Sequence, residues 1–126
     1  MSITDLHSAL IINGHVAAVN DGRLVVSHRG AELFVAIDER NAIIRTALFH
    51  TDLKSRITND VLERIVEHVN SAVRGAKSII TENAVLVLSE SFATDANDWA
   101  LNFNNMAFAM LQQRDELDSF SARVRG

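Results

Sequence analysis

The period of apolar and polar residues changes several times along the chain, and each change marks an element. Between Arg23 and His50, GRLVVSHRG, AELFVAIDE and NAIIRTALFH are short runs rich in β-branched residues, which predicts three strands joined by tight turns at Arg29-Gly30 and Glu39-Arg40. With two-residue parity in both turns, Leu24, Val26, Leu33, Val35, Ile37, Ile44 and Leu48 share a face whose only polar member is Thr46. That is the expected core face. The other face carries Val25, Phe34, Ala36, Ile43, Ala47 and Phe49 interleaved with Arg23, Ser27, Glu32 and Arg45. It is too apolar for solvated surface and too polar for a dry core. Two meanings fit it: a binding surface, or an internal contact with the first or last helix.

Upstream, Thr4 or Asp5 is the expected cap of a short helix bearing Ile3, Leu6, Leu10 and Ile11 on one side and ending near Asn13-Gly14, with a turn at Asn20-Asp21-Gly22. Downstream, Thr58 or Asn59 caps a helix with Asp60 in its first turn, where the dipole favours an anion. Val61, Leu62, Ile65, Val66, Val69, Ala72 and Val73 form its apolar arc, and Gly75 ends it. KSIITENAVLVLSESF then reads as a hairpin turning near Glu82-Asn83, with strands apolar on both faces. The closing helix starts at a Thr94 or Asp95 cap and runs to about Phe120. Trp99, Phe103, Met106, Met110, Leu117 and Val124 repeat along it at intervals of three, four and seven, a seam of heptad type. Leu101, Phe108 and Leu111 emerge on its opposite side, and a helix apolar on two sides is expected to be covered on two sides. The predicted fold class is therefore a single-domain α+β protein of order α-β-β-β-α-β-β-α, an antiparallel sheet with helices packed against it.

Composition changes this picture little. At 126 residues and 48% apolar, the chain is one domain able to bury a core without staples. It has no cysteine, which excludes disulfides, thiolate metal sites and a Cys nucleophile and fits a cytoplasmic location. The N-terminal MSITDLHSALIING lacks a signal-peptide pattern, and no stretch reaches the roughly 18 apolar residues that span a bilayer, so neither export nor a membrane is expected. A formal charge of −4 with scattered Lys and Arg argues against a nucleic-acid partner.

Catalytic chemistry finds little support. His7, His15, His28, His50 and His68 show no HxH or HxxxH spacing, so no metal site is expected. His50-Thr51-Asp52 and Ser89-Glu90-Ser91 hold the residue types of a hydrolytic site without a nucleophile signature to position them. The glycines are dispersed, so no phosphate loop can be built, and Asp38-Glu39 and Asp115-Glu116 read as a turn and a solvated face. Met106 and Met110 with Phe103 and Phe108 fit a core stripe or an adaptable apolar surface. The expectation is a protein without catalytic residues or cofactors.

The order helix, three strands, helix, two strands, helix, with the GAELFVAIDE strand, the amphipathic helix before KSIITENAVLVLSESF and the leucine- and methionine-bearing closing helix, resembles the class I type III secretion chaperones. The resemblance implies an ATP-independent chaperone that keeps the N-terminal segment of a secreted effector or gatekeeper protein soluble and export-competent. It also implies a homodimer, or a heterodimer with another small chaperone, whose interface carries over to Leu62, Ile65, Val66, Val69 and Val73 with Ile79 and Ile80. The partner segment would lie on exposed apolar surface, and the mixed face supplies Val25, Phe34, Ile43, Arg45 and Phe49 for it. Two rivals remain: a regulatory or adaptor domain of the same architecture that binds a folded partner, and a small ligand-binding domain with its pocket between sheet and helices.

Overall fold

The computed structural model describes residues 1–50, 52–92 and 95–125. Its elements run α1 (Ile3–Ile12), β1 (Val16–Asn20), β2 (Arg23–His28), β3 (Ala31–Asp38), β4 (Ile43–His50), α2 (Asp52–Arg56), α3 (Asn59–Ala72), β5 (Lys77–Ile80), β6 (Val85–Phe92), α4 (Ala96–Leu101) and α5 (Phe103–Arg125). The strands form one antiparallel sheet of order β1-β2-β3-β4-β6-β5. The α+β class and the predicted order both hold, with two insertions. β1 pairs with β2 through the Asn20-Asp21-Gly22 turn, where Asp21 and Gly22 both take positive φ, as a two-residue hairpin loop requires. Its five residues, VAAVN, are too few to show a period. The short α2 and the residue after it give Leu53 and Ile57 to the core.

Local chemistry explains the boundaries. Ser2, rather than Thr4 or Asp5, caps α1: its hydroxyl accepts the Asp5 N–H while the Asp5 carboxylate accepts the Ser2 N–H, a reciprocal capping box. The loop after β3 spans four residues, because Asp38 pairs with Ile43, and not the two expected at Glu39-Arg40. Four is still even, so the faces sort as parity predicts. Asp95 caps the closing helix by accepting the Asn97 N–H at 2.8 Å, and Thr94 lies outside the described residues. That helix is broken at Asn102. Its side-chain amide donates to the Asp98 carbonyl at 2.9 Å, and its own N–H is shared between the carbonyls of Asp98 and Trp99. Met106 N–H then picks up the Asn102 carbonyl and α5 proceeds.

The core lies between the sheet and the helices. Leu24, Val26, Leu33, Val35, Ile44 and Leu48 are buried on the predicted face, together with Val85 and Val87 of β6. Leu6, Ala9 and Leu10 of α1, Leu62, Ile65, Val66 and Val69 of α3, Trp99 of α4, and Phe103, Met110 and Leu117 of α5 pack on them. The four buried aliphatics of α3 contribute about 1.5–3 kcal/mol each before conformational entropy is subtracted. Of the three residues expected on the helix's opposite side, Leu111 is buried, whereas Leu101 and Phe108 depart from expectation at 61% and 60% exposed.

A polar staple closes the β5 end. The Asn70 side chain on α3 accepts the Ser78 N–H at 2.6 Å and donates to the Ser78 carbonyl at 3.0 Å, and buried Gln113 of α5 donates to both Asn70 and Ser78. Ser78 has its backbone groups on the outer edge of the sheet, so Asn70 stands where a seventh strand would pair. Asn70→Ala is expected to cost about 1–3 kcal/mol in urea denaturation, because it orphans the edge amide and carbonyl. A loss under about 0.5 kcal/mol would mean that water replaces Asn70 without penalty.

Candidate functional site

The helices lie on one side of the sheet, and strand register identifies what the other side displays. Lys77, Leu88, Ala47, Phe34, Val25 and Ala18 form a row crossing all six strands. Ile79, Leu86 and Phe49 form the next row on one side; Glu90, Arg45 and Ala36, then Phe92, Ile43 and Asp38, form two rows on the other. Neighbouring rows are two residues apart along each strand, about 6.6–6.8 Å. Phe92 is 83% exposed and Phe49 55%. Val25, Phe34, Ile43, Ala47, Leu86 and Leu88 are half-buried by one another, with Phe34 and Phe49 in edge-to-face contact at 5.4 Å between centroids. All five residues expected to bind a partner, Val25, Phe34, Ile43, Arg45 and Phe49, therefore share this face. An internal helix contact as its meaning is overturned, because the helices occupy the opposite side.

A charged seam divides the apolar rows. Arg45 reaches Asp38 at 3.8 Å and Glu90 at 3.6 Å, and Lys77 reaches the other oxygen of Glu90 at 3.6 Å. Each pair is accessible to solvent, which screens it, so each contributes little to stability. Its effect is to fix alternating charge between the aromatic rows and the Ile43-Phe92 pair. The whole face carries three bases, Arg23, Arg45 and Lys77, and three acids, Glu32, Asp38 and Glu90. It is electrically balanced in a chain of net charge −4.

The residues assigned to a dimer interface have another place. Leu62, Ile65, Val66, Val69 and Val73 are buried in the chain's own core, and Ile80 is half-buried and packs against it. Those five side chains are packed between the sheet and α5, while Val61 of the same arc is half-buried and Ala72 exposed. Ile79 alone of that set points to the open face, at 40% exposure. Leu86, Leu88, Phe92, Lys77 and Glu90 were missed as members of the face. Their alternation in VLVLSESF and KSII is readable; that β6 inserts beside β4, carrying them next to Phe49 and Arg45, is not.

The hydrolytic candidates do not converge. Ser89 points inward and donates to the Gly75 carbonyl, Ser91 lies against Met106 Sδ at 4.0 Å, and Glu90 faces outward. His50 Nε2 meets Asp118 Oδ1 at 2.6 Å, tying β4 to α5, while Thr51 lies outside the described residues. Among the described residues no three His, Cys, Asp or Glu side chains gather as a metal site would need. No helix among them is long and apolar enough to cross a membrane.

No family model matches the chain, and no curated protein does. Among solved structures, YbjN of E. coli, a proposed transcription regulator, aligns with a TM-score of 0.60 at 9% identity, over 99% of this chain and 92% of that one. At that identity the similarity speaks for a shared fold only.

At one corner of the face Asp38 accepts hydrogen bonds from the Asn41 side chain at 3.0 Å and the Asn41 N–H at 3.3 Å. The Asn41 side chain first, its backbone N–H and Arg45 after it, hold the Asp38 carboxyl below the ordinary 3.8, against an opposing effect of desolvation. A depressed carboxyl stabilises above its unfolded value, so this turn's contribution is full above about pH 3.8 and fades as the pH falls through Asp38's lowered value. Asn41→Ala is expected to move the Asp38 midpoint upward in an NMR titration of its carboxyl carbon. An unmoved midpoint would assign the shift to the backbone N–H groups of the turn and to Arg45.

Proposed function

We propose that this chain is a protein-binding domain of adaptor type that captures a partner segment on the open face of its sheet. One observation carries the reading: a six-stranded sheet has its helices on one side and leaves Phe34, Phe49, Ile79, Leu86, Leu88 and Phe92 on the other. A contiguous apolar surface of that breadth costs solubility unless something covers it. Aromatic anchors beside oriented charges are the composition of a recognition surface. The balanced charge of the face favours a protein segment over a phosphate backbone, which needs clustered cations. By the same argument, a regulatory role of the kind proposed for YbjN would run here through protein contact.

The finer reading is an ATP-independent secretion chaperone. It is supported by the resemblance in element order and by a face suited to hold an apolar effector or gatekeeper segment in extended form. A small-ligand domain is less favoured, since the groove of about 700 Å³ between α1 and α4 lies open to solvent.

Phe49→Asp combined with Phe92→Asp is expected to abolish stoichiometric co-purification of the native partner while leaving thermal unfolding within a few degrees of wild type, since both rings are largely exposed. Leu101→Asp combined with Phe108→Asp, on the helical side, should leave capture intact. The opposite pattern would move the binding surface to the helices. Rescue of an otherwise insoluble secreted fragment by co-expression separates the chaperone from a general adaptor.

A further inference from the structure

The two edges of the sheet are treated differently. β5 is sealed by Asn70 and bears Lys77, which guards an edge against further pairing. β1 at the other edge, Val16–Asn20, has no ionisable side chain, and Val16 and Val19 are 70% and 41% exposed. Since Asn20 and Arg23 close a two-residue hairpin loop, Ala17 and Val19 lie at positions whose backbone N–H and carbonyl point away from β2. His7 Nε2 meets the Ala17 carbonyl at 3.1 Å, and that oxygen retains a second lone pair.

We propose that two copies of the chain pair edge to edge through β1, antiparallel about a two-fold axis at Ala18, joining their sheets into one. In that register Ala17 of each copy faces Val19 of the other and exchanges both backbone hydrogen bonds with it, while the two Ala18 residues face each other. Apolar meets apolar along the strand, small alanines sit at the crossing, and no like charges oppose. A second copy suits this edge because the strand is its own complement: an uncharged, self-compatible sequence meets itself without repulsion in a molecule whose charge of −4 lies elsewhere. Ala18 belongs to the open face, so the pairing makes the open faces of both copies continuous. At five residues the strand is about 17 Å long and buries less than the roughly 800 Å² per partner of a standard interface, so the dimer is a weak one that forms in the micromolar range or above.

The absence of native cysteine allows a direct test. Facing Ala18 residues form a non-hydrogen-bonded pair with Cα atoms about 4.5 Å apart, within disulfide range. Two Asn20 residues would be four residues out of register, about 14 Å apart, and beyond it. Under mild oxidation Ala18→Cys should form a covalent dimer more than about tenfold faster than Asn20→Cys, because pairing raises its effective concentration. In sedimentation, Val19→Lys should weaken self-association of the otherwise native chain about tenfold or more. Equal cross-linking rates at positions 18 and 20, or a monomeric wild-type chain at several hundred micromolar, overturns the pairing. None of these variants touches Phe49 or Phe92, so failure here and failure of partner capture are separately readable.

Discussion

Loop parity is the constraint on which the rest of this molecule depends. Asp21-Gly22 and Arg29-Gly30 each separate paired strands by two residues, and residues 39–42 and 81–84 each do so by four. All four numbers are even, so alternation is carried unbroken through every hairpin and each apolar set stays on its own face. A single odd loop would turn Leu33 and Val35, or Ile44 and Leu48, out of the core and bring Phe34 or Arg45 into it. The positive φ of Asp21, Gly22, Arg29 and Gly30 shows how the two shorter loops meet the requirement, and the Asp38–Asn41 and Thr81–Ala84 hydrogen bonds show how the longer ones do.

Given parity, the helices complete a one-sided structure. α1 packs over β1 and β2, α3 and α5 pack over β5 and β6, and the long aliphatics of α3 are spent in the process. Among the described residues no helix is then left to cover the open face. The residues that stabilise the fold are consumed by it, and those left on the open face are largely aromatic and apolar, with a seam of alternating charge among them. The edges follow the same logic. Asn70 and Gln113 make β5 the end of the sheet, whereas β1 retains backbone groups that look outward.

Much of this was legible in the chain. Period-two alternation placed Val25, Phe34, Ile43, Arg45 and Phe49 on one face, and they are on one face. Period 3.6 placed Leu62, Ile65, Val66 and Val69 on one arc, and they are on one arc. What an arc is buried against is a different kind of fact. It depends on which strands become neighbours, and the insertion of β6 between β4 and β5 is set by long-range packing that leaves no local trace. That is why spacing alone does not carry Leu86, Leu88 and Phe92 to the open face, and why the apolar arc of α3 does not itself show that the sheet and α5 pack on it. β1 went unread because VAAVN is too short for a period. Asn102 interrupts the closing helix through a side-chain hydrogen bond that competes with the backbone, which spacing alone does not reveal.

The uncovered sheet face is the proposed working surface. Site-specific incorporation of a photo-cross-linking residue at positions 49, 92 and 108 in the native host tests it most directly. If the sheet face is the binding surface, one and the same partner is covalently trapped from 49 and 92, on the sheet, and none from 108 on α5. Capture from 108 with none from 49 and 92 would contradict it.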